Sequence, residues 1–383
     1  MKEAKSVMKT IVVMLLLLTG AAAGPPCAGA QALPSFWKSG LADIQEEVDA
    51  AERAQVRRIA TSPGGRPVYA LFYGRANPGR QMANYNSAVG ARQPACFRQK
   101  EADSPATVFY LGPVHGQEIE NIVGLVNLIH VAETGNDHRG EPWPDLKRKV
   151  DSCRIIIVPC ANPDGRARCP FDSFYDVPTR TMTRWGQGTR KDGSLYGWPG
   201  AKAVHPMTGD VGILGAYFND DGINPMHDDF FFPMAEETRA ILALARDEAP
   251  DMAISLHSHE NAPVILQANY LPWFMKKRIA QLSEKMKKRF ESDGLPYGPV
   301  QQPRIEDEAH PPRASFNLVS ALHHQCGAMA FTFECCHGSV SERSPEPLAD
   351  HEQILRIQLT LYDEALSYIM ENRLIWSLGR TDD

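Results

Sequence analysis

Short apolar runs alternate along the chain with stretches whose apolar residues recur at helical spacing. The runs at residues 67–73, 107–111, 154–159, 252–256 and 328–333 predict strands, each too short and too uniformly apolar for an amphipathic helix. Helical patterns fall at 41–58, 118–133, 235–247, 273–291, 315–324 and 350–372. The last carries Ile354, Leu355, Leu359, Tyr362, Leu366 and Ile369 on one face and reads as a packing helix. Strands interleaved with helices imply an α/β chain. Between Cys169 and Pro233 the pattern gives way to Gly, Pro, Asp and aromatics, among them Trp185, Tyr196 and Trp198. A stretch that long without regular elements is expected to form substrate-facing loops of the same domain.

The N-terminus has a different pattern. A basic start is followed by the apolar run IVVMLLLL at 11–18 and by small residues ending in Ala30-Gln31-Ala32. This predicts a signal peptide over 1–32, an exported (periplasmic or secreted) protein, and one catalytic domain over 33–383. The run is too short for an anchor, and no later segment reaches the ~20 apolar residues of a spanning helix. Removing 1–32 takes two net positive charges with it, from −6 to −8. No basic or acidic block stands out, so nucleic acid is not an expected partner. After residue 32 seven cysteines remain, an odd set. Cys153 and Cys160 flank a strand and are too far apart to bond; Cys160 with Cys169 is the expected pair. No CxxC spacing exists, which excludes a common form of structural zinc site.

The candidate chemistry starts from the spacing HxxE, which lets an imidazole and a carboxylate face one metal. It occurs at His115/Glu118, His130/Glu133, His138/Glu141 and His257/Glu260, so spacing alone selects none. His130 lies late in an apolar helix and His138 in a polar turn, where a core or solvated histidine is expected. His115 instead follows a strand at a Gly-containing bend, with Glu118 opening the next helix. Ligand sites of α/β sheets lie at such carboxyl ends of strands. Three further strands end likewise, on Asn162-Pro163-Asp164-Gly165, on His257 and on Glu334.

These pieces, GPVHGQE, NPDG, ISLHSH and FTFE in that order, make the chain resemble the zinc carboxypeptidases typified by carboxypeptidases A and B. The resemblance implies a mixed, largely parallel central sheet with helices on both faces. It also implies one Zn²⁺ held by His115, Glu118 and His257, and Glu334 as general base. His259 competes with His257 for the third ligand position, and the family pattern favours His257. Two imidazoles and one carboxylate leave zinc an open position for water, as a catalytic site requires.

The family's Asn-Arg segment, which grips a substrate's terminal carboxylate, is not kept. On the nearest register, Gly222-Ile223-Asn224-Pro225-Met226-His227-Asp228, Asn224 stands where the family has an Asp that orients a ligand histidine and His227 stands at the arginine; a second register, through Phe218-Asn219-Asp220, puts an acid there. An imidazole is cationic only when protonated, so His227 would give a pH-dependent grip. Arg190 and Arg184, with Arg180 behind them, are the candidates for the oxyanion arginine. The resemblance implies metallocarboxypeptidase hydrolysis of peptides or cell-wall peptides, with a peptide or peptide-like substrate and the chain as a monomer. Two alternatives stand beside it. An amidase or deacylase of the aspartoacylase-like branch would lack NPDG and FTFE; a noncatalytic binding module would not need all three ligands and the base.

Overall fold

The structure, a computed structural model, describes residues 32–77, 82–100, 104–304, 306–311 and 315–373. The expected signal peptide, Ala32 apart, lies outside the described residues. Seven strands form one sheet: β1 (Gln55–Thr61), β2 (Pro67–Tyr73), β3 (Thr107–Leu111), β4 (Arg154–Val158), β5 (Met252–His259), β6 (Val264–Gln267) and β7 (Met329–Cys336). Their order is β1-β2-β4-β3-β5-β7-β6. The central four, β4, β3, β5 and β7, are parallel, and antiparallel pairs close both edges. Every residue of β3 and β4 is buried, which is why their sequences are unbroken apolar runs: a parallel strand covered on both faces has no side left for polar residues.

The helices among the described residues are α1 (Leu41–Ala50), α2 (Tyr85–Gly90), α3 (Glu120–Thr134), α4 (Pro144–Ser152), α5 (Pro163–Arg168), α6 (Thr179–Gly186), α7 (Glu236–Glu248), α8 (Trp273–Ser292), α9 (Leu318–Cys326) and α10 (His351–Glu371). Helices α1, α4 and α10 pack with α3, helices α2 and α7 pack with α9, and both α3 and α9 rest on β5 and β7. Asp350 starts α10 with a capping box, accepting from the Gln353 amide while the Gln353 side chain accepts from its own. None of the described helices is long and apolar enough to cross a membrane.

Several expectations are corrected. Residues 41–58 do not form one helix: α1 stops at Ala50, and Gln55–Thr61 is the edge strand β1. Exposed Gln55, Arg57 and Arg58 mimic the polar face of a continuing helix, while β-branched Val56, Ile59 and Thr61 fit a pleated edge. Strand β6 was hidden by its four-residue length. Helix α3 begins at Glu120, leaving Glu118 in the preceding turn, where its amide donates to His115 O at 3.0 Å. The Cys160–Cys169 bond does not form. All seven described cysteines are free, and these two sit in separate apolar clusters.

The loops between α5 and α7 are pinned from behind. Fully buried Glu237 on α7 faces the Asn219 side-chain amide at 3.4 and 3.5 Å, and Asn219 Oδ1 accepts from the amides of Asp221 and Ile223. Burial, with Asn219 opposing it, raises Glu237 from 4.5 to about 7. A carboxyl whose folded pKa lies above its unfolded one favours folding at low pH, and that contribution is lost as pH rises from 4.5 through 7. Glu237→Gln should therefore flatten the pH dependence of stability. Its urea midpoint should match wild type near pH 5 more closely than at pH 8, where the variant should be more stable by up to about 3 kcal/mol. Parallel midpoint-versus-pH curves would contradict this.

Candidate active site

The parallel core strands deliver their functional ends to one edge. After β3 the chain passes Gly112-Pro113-Val114 to His115, and near their carboxyl ends β5 carries His257 and β7 carries Glu334 on paired positions of the ladder. Paired positions carry side chains on the same face, so Glu334 stands beside His257 by register. Gly116 is required locally: a Cβ there would lie 2.0 Å from the Arg166 amide nitrogen.

The segment Asn162-Pro163-Asp164-Gly165 opens α5 and works as a latch. Asn162 Oδ1 caps the helix through Gly165 N at 2.8 Å, while its Nδ2 donates to Val114 O and Ala216 O. It thereby joins the His115 turn to the 216 loop. Buried Asp164 accepts from Ser62 Oγ, Gly64 N, Arg66 Nη1 and Asp220 N. These bonds explain the motif without giving it contact with substrate.

His115, Glu118 and His257 are all buried and converge. His115 Nδ1 lies 2.8 Å from Glu118 Oε1, and His257 Nδ1 lies 3.0 Å from Glu118 Oε2. The far side of each ring is arranged separately. His257 Nε2 meets Ser255 Oγ at 3.0 Å, which turns Nδ1 toward the cluster. His115 stacks on Tyr217 at 3.8 Å and 10°, and Gln187 Nε2 donates to the Tyr217 hydroxyl. Residues 43–193 match the family model described as zinc carboxypeptidase. That part of the chain is similar to the zinc carboxypeptidases. The matched segment contains His115, Glu118 and NPDG and stops short of His257 and Glu334.

Three solved structures share the fold. A metallo-carboxypeptidase from Burkholderia cenocepacia is 17% identical with a TM-score of 0.51, over 86% of this chain and 68% of that one. Carboxypeptidase A from Helicoverpa armigera is 14% identical with a TM-score of 0.50, over 88% and 74%. Bovine thrombin-activatable fibrinolysis inhibitor, in complex with tick carboxypeptidase inhibitor, is 12% identical with a TM-score of 0.50, over 88% and 100%. No curated protein matches the sequence.

Zinc is the metal of the zinc carboxypeptidases, and the cluster fits it. Two nitrogens and one carboxylate are a zinc donor set. Glu118 Oε2 is buried without a hydrogen bond even though His257 Nδ1 is close, the geometry of two donors aimed at a shared point. Burial raises Glu118, but the two imidazoles override it and hold the carboxyl down to about 2. Burial lowers His115 against the pull of Glu118. For His257, burial is outweighed by the Glu118 and Glu334 carboxylates, and its pKa rises. Half-buried Glu334 is raised, by burial first and by Glu118 against His257 next, toward the range useful to a base.

The other expected residues are distributed differently. His259 turns away, its Nε2 3.0 Å from Ala262 O, and is not one of the three converging donors. Arg190 is engaged with Leu195 O and Ser194 Oγ and lies 4.5 Å over the Tyr196 ring. Arg184 is exposed on α6. Asn224 is bonded elsewhere than to a ligand histidine: its Oδ1 caps the turn by accepting from Met226 N, and its backbone N–H donates to His205 Nε2. His227 does lie near the cluster. Burial, then Lys202 and the neighbouring histidines, push its pKa down to about 3, so it is neutral where an ordinary histidine would titrate. Sequence reasoning missed Lys202. It is exposed, with its ammonium 4.9 Å over the Trp198 ring, and its charge acts on His115, His227, His257 and Glu334. Nothing local in Gly200-Ala201-Lys202 signals this, because only the folded loop brings it to the strand ends.

Proposed function

We propose that the chain is an exported zinc metallocarboxypeptidase that removes residues from the C-terminal ends of peptides or cell-wall peptides. His115, Glu118 and His257 hold the ion and Glu334 is the general base. The observation that carries this reading is the ladder pairing of His257 with Glu334 beside the His115–Glu118 pair. Zinc bound there supplies a Lewis acid that acidifies water and polarises the scissile carbonyl. Glu334 takes the proton of the attacking water and delivers it to the leaving amine nitrogen, which breaks the C–N bond. Export rests on the leader pattern of residues 1–32.

The grip on the substrate's terminal carboxylate is assigned to Lys202, with neutral His227 beside it as a hydrogen-bonding group. Among the described residues no carboxylate lies within 4.0 Å of Lys202, so its charge is free for a substrate. Arg190 and Arg184 are left with the peptide chain and the loop surface. A lysine binds a carboxylate as a point charge, and a charge-assisted hydrogen bond contributes about 1.5–3 kcal/mol. Lys202→Gln should thus lower kcat/KM for a free-acid peptide by roughly 10–100-fold. It should leave the matching C-terminal amide nearly unchanged, and Lys202→Arg should recover most of the loss. Equal losses on acid and amide would remove Lys202 from this role.

The reading as a whole is tested by offering matched peptides with free and amidated C-termini and peptidoglycan stem peptides, and locating the cleaved bond by mass. Release of single C-terminal residues from free acids supports it. Cleavage only of an acyl group from an amino acid would favour the deacylase branch instead.

A further inference from the structure

The two HxxE spacings that the active site leaves unused meet elsewhere in the fold. His130, on the last turns of α3, stacks on His138 at 4.0 Å between centroids and 21° between planes. Both face Glu47 of α1: His138 Nε2 lies 2.8 Å from Glu47 Oε1, and His130 Nδ1 lies 3.8 Å from Glu47 Oε2. One donor atom from each falls within 4.8 Å of the others. The acids of the two spacings are not part of this group. Glu133 accepts from the amides of Glu52, Arg53 and Ala54 and from Tyr73 Oη, and Glu141 pairs with Arg139.

Three features separate this cluster from an ordinary ion pair. Glu47 is buried, 7% exposed, and the ion pairs it makes are with these two imidazoles. The nearby ammonium of Lys38 is engaged with Glu46 and Asp43. His138 Nε2 is buried and makes no hydrogen bond despite its 2.8 Å approach to Glu47, so its in-plane direction misses the carboxylate. The loop that carries His138 is also built. Asp137 accepts from Arg139 N, Nε and Nη2, from Glu141 N and from Trp143 Nε1, and His138 N donates to Asn127 Oδ1.

The geometry points to a second metal site, at Glu47, His130 and His138, that takes a borderline divalent cation of the zinc, nickel or copper class. Two imidazoles and one carboxylate suit those ions rather than magnesium or calcium, which prefer oxygen donors. At ~1.5 Å rise per residue, His130 lies roughly 15 Å along α3 from Glu120, away from the catalytic cluster. Its ligands come from α1, α3 and the loop after α3, so the ion clips the first helix onto the body of the fold. Binding to the folded state alone raises stability in proportion to ion concentration.

The test uses the full chain, stripped of metal and titrated with ZnCl₂, with bound zinc counted by elemental mass spectrometry after gel filtration and Tm followed in parallel. Wild type should bind two ions. Glu47→Gln and His138→Ala should each bind one, keep peptidase activity, and lose the part of the zinc-induced Tm rise that the second equivalent produces. His257→Ala should also keep one ion but lose activity, which separates failure of this site from failure of the catalytic one. Because Glu47→Gln keeps the shape of the side chain, it reports even if His138→Ala folds poorly. A wild-type count of one, or a count of two in both Glu47→Gln and His138→Ala, overturns the proposal.

Discussion

Replacing Glu334 with Gln should reduce kcat by about 10²–10⁴-fold while the protein still binds zinc and folds normally. The amide has the size of the carboxylate but cannot take a proton from water near neutral pH. Burial and the Glu118 charge already raise the Glu334 carboxyl, so the native side chain is a stronger base than a solvated glutamate. Zinc should stay because the converging donors are His115, Glu118 and His257. The check is kcat on a free-acid peptide together with metal content and circular dichroism. Turnover near wild type would show that another group moves the proton.

The second large effect is on metal. His115→Ala or His257→Ala removes one of three protein donors, and each should lose tight zinc at the catalytic site together with activity. His259→Ala should keep both, since its ring is turned onto the Ala262 carbonyl. A milder result is expected for Ser255→Ala, which frees His257 Nε2 from its partner at 3.0 Å. Loss of such an outer partner typically weakens metal binding 10–100-fold. Equilibrium dialysis against a zinc buffer ranks the four variants. Metal loss in His259→Ala with retention in His257→Ala would reverse the assignment of the third ligand.

The parts of this fold that sequence revealed are those where one physical demand dominates. Strands β3, β4, β5 and β7 are covered on both faces, so burial alone writes their apolar runs, and the polar residue at each carboxyl end marks the site edge. His115, Glu118, His257 and Glu334 were singled out for that reason, and the fold brings the first three together. The edge strand β1 was not, because exposed residues such as Arg57 and Arg58 satisfy a helix and a strand equally well. Cys160 and Cys169 looked like partners by separation along the chain, but tertiary packing puts them in different clusters. Lys202, Tyr217 and Gln187 come from loops whose path is set by distant latches such as Asn162 and Asn219, so no local pattern encodes their approach. The same holds for His130 and His138: their spacing to Glu133 and Glu141 was visible, whereas the carboxylate they actually face, Glu47, lies more than eighty residues upstream.

The most direct measurement follows one free-acid peptide by mass spectrometry with the protein as isolated, after chelation, and after stepwise return of zinc. The expected result is stepwise loss of C-terminal residues, its disappearance on chelation, and its recovery as zinc returns to the His115–Glu118–His257 site, with no recovery in His257→Ala. Cleavage that survives complete metal removal, or a zinc-replete protein that cleaves no peptide bond at all, would contradict the zinc carboxypeptidase assignment of this site.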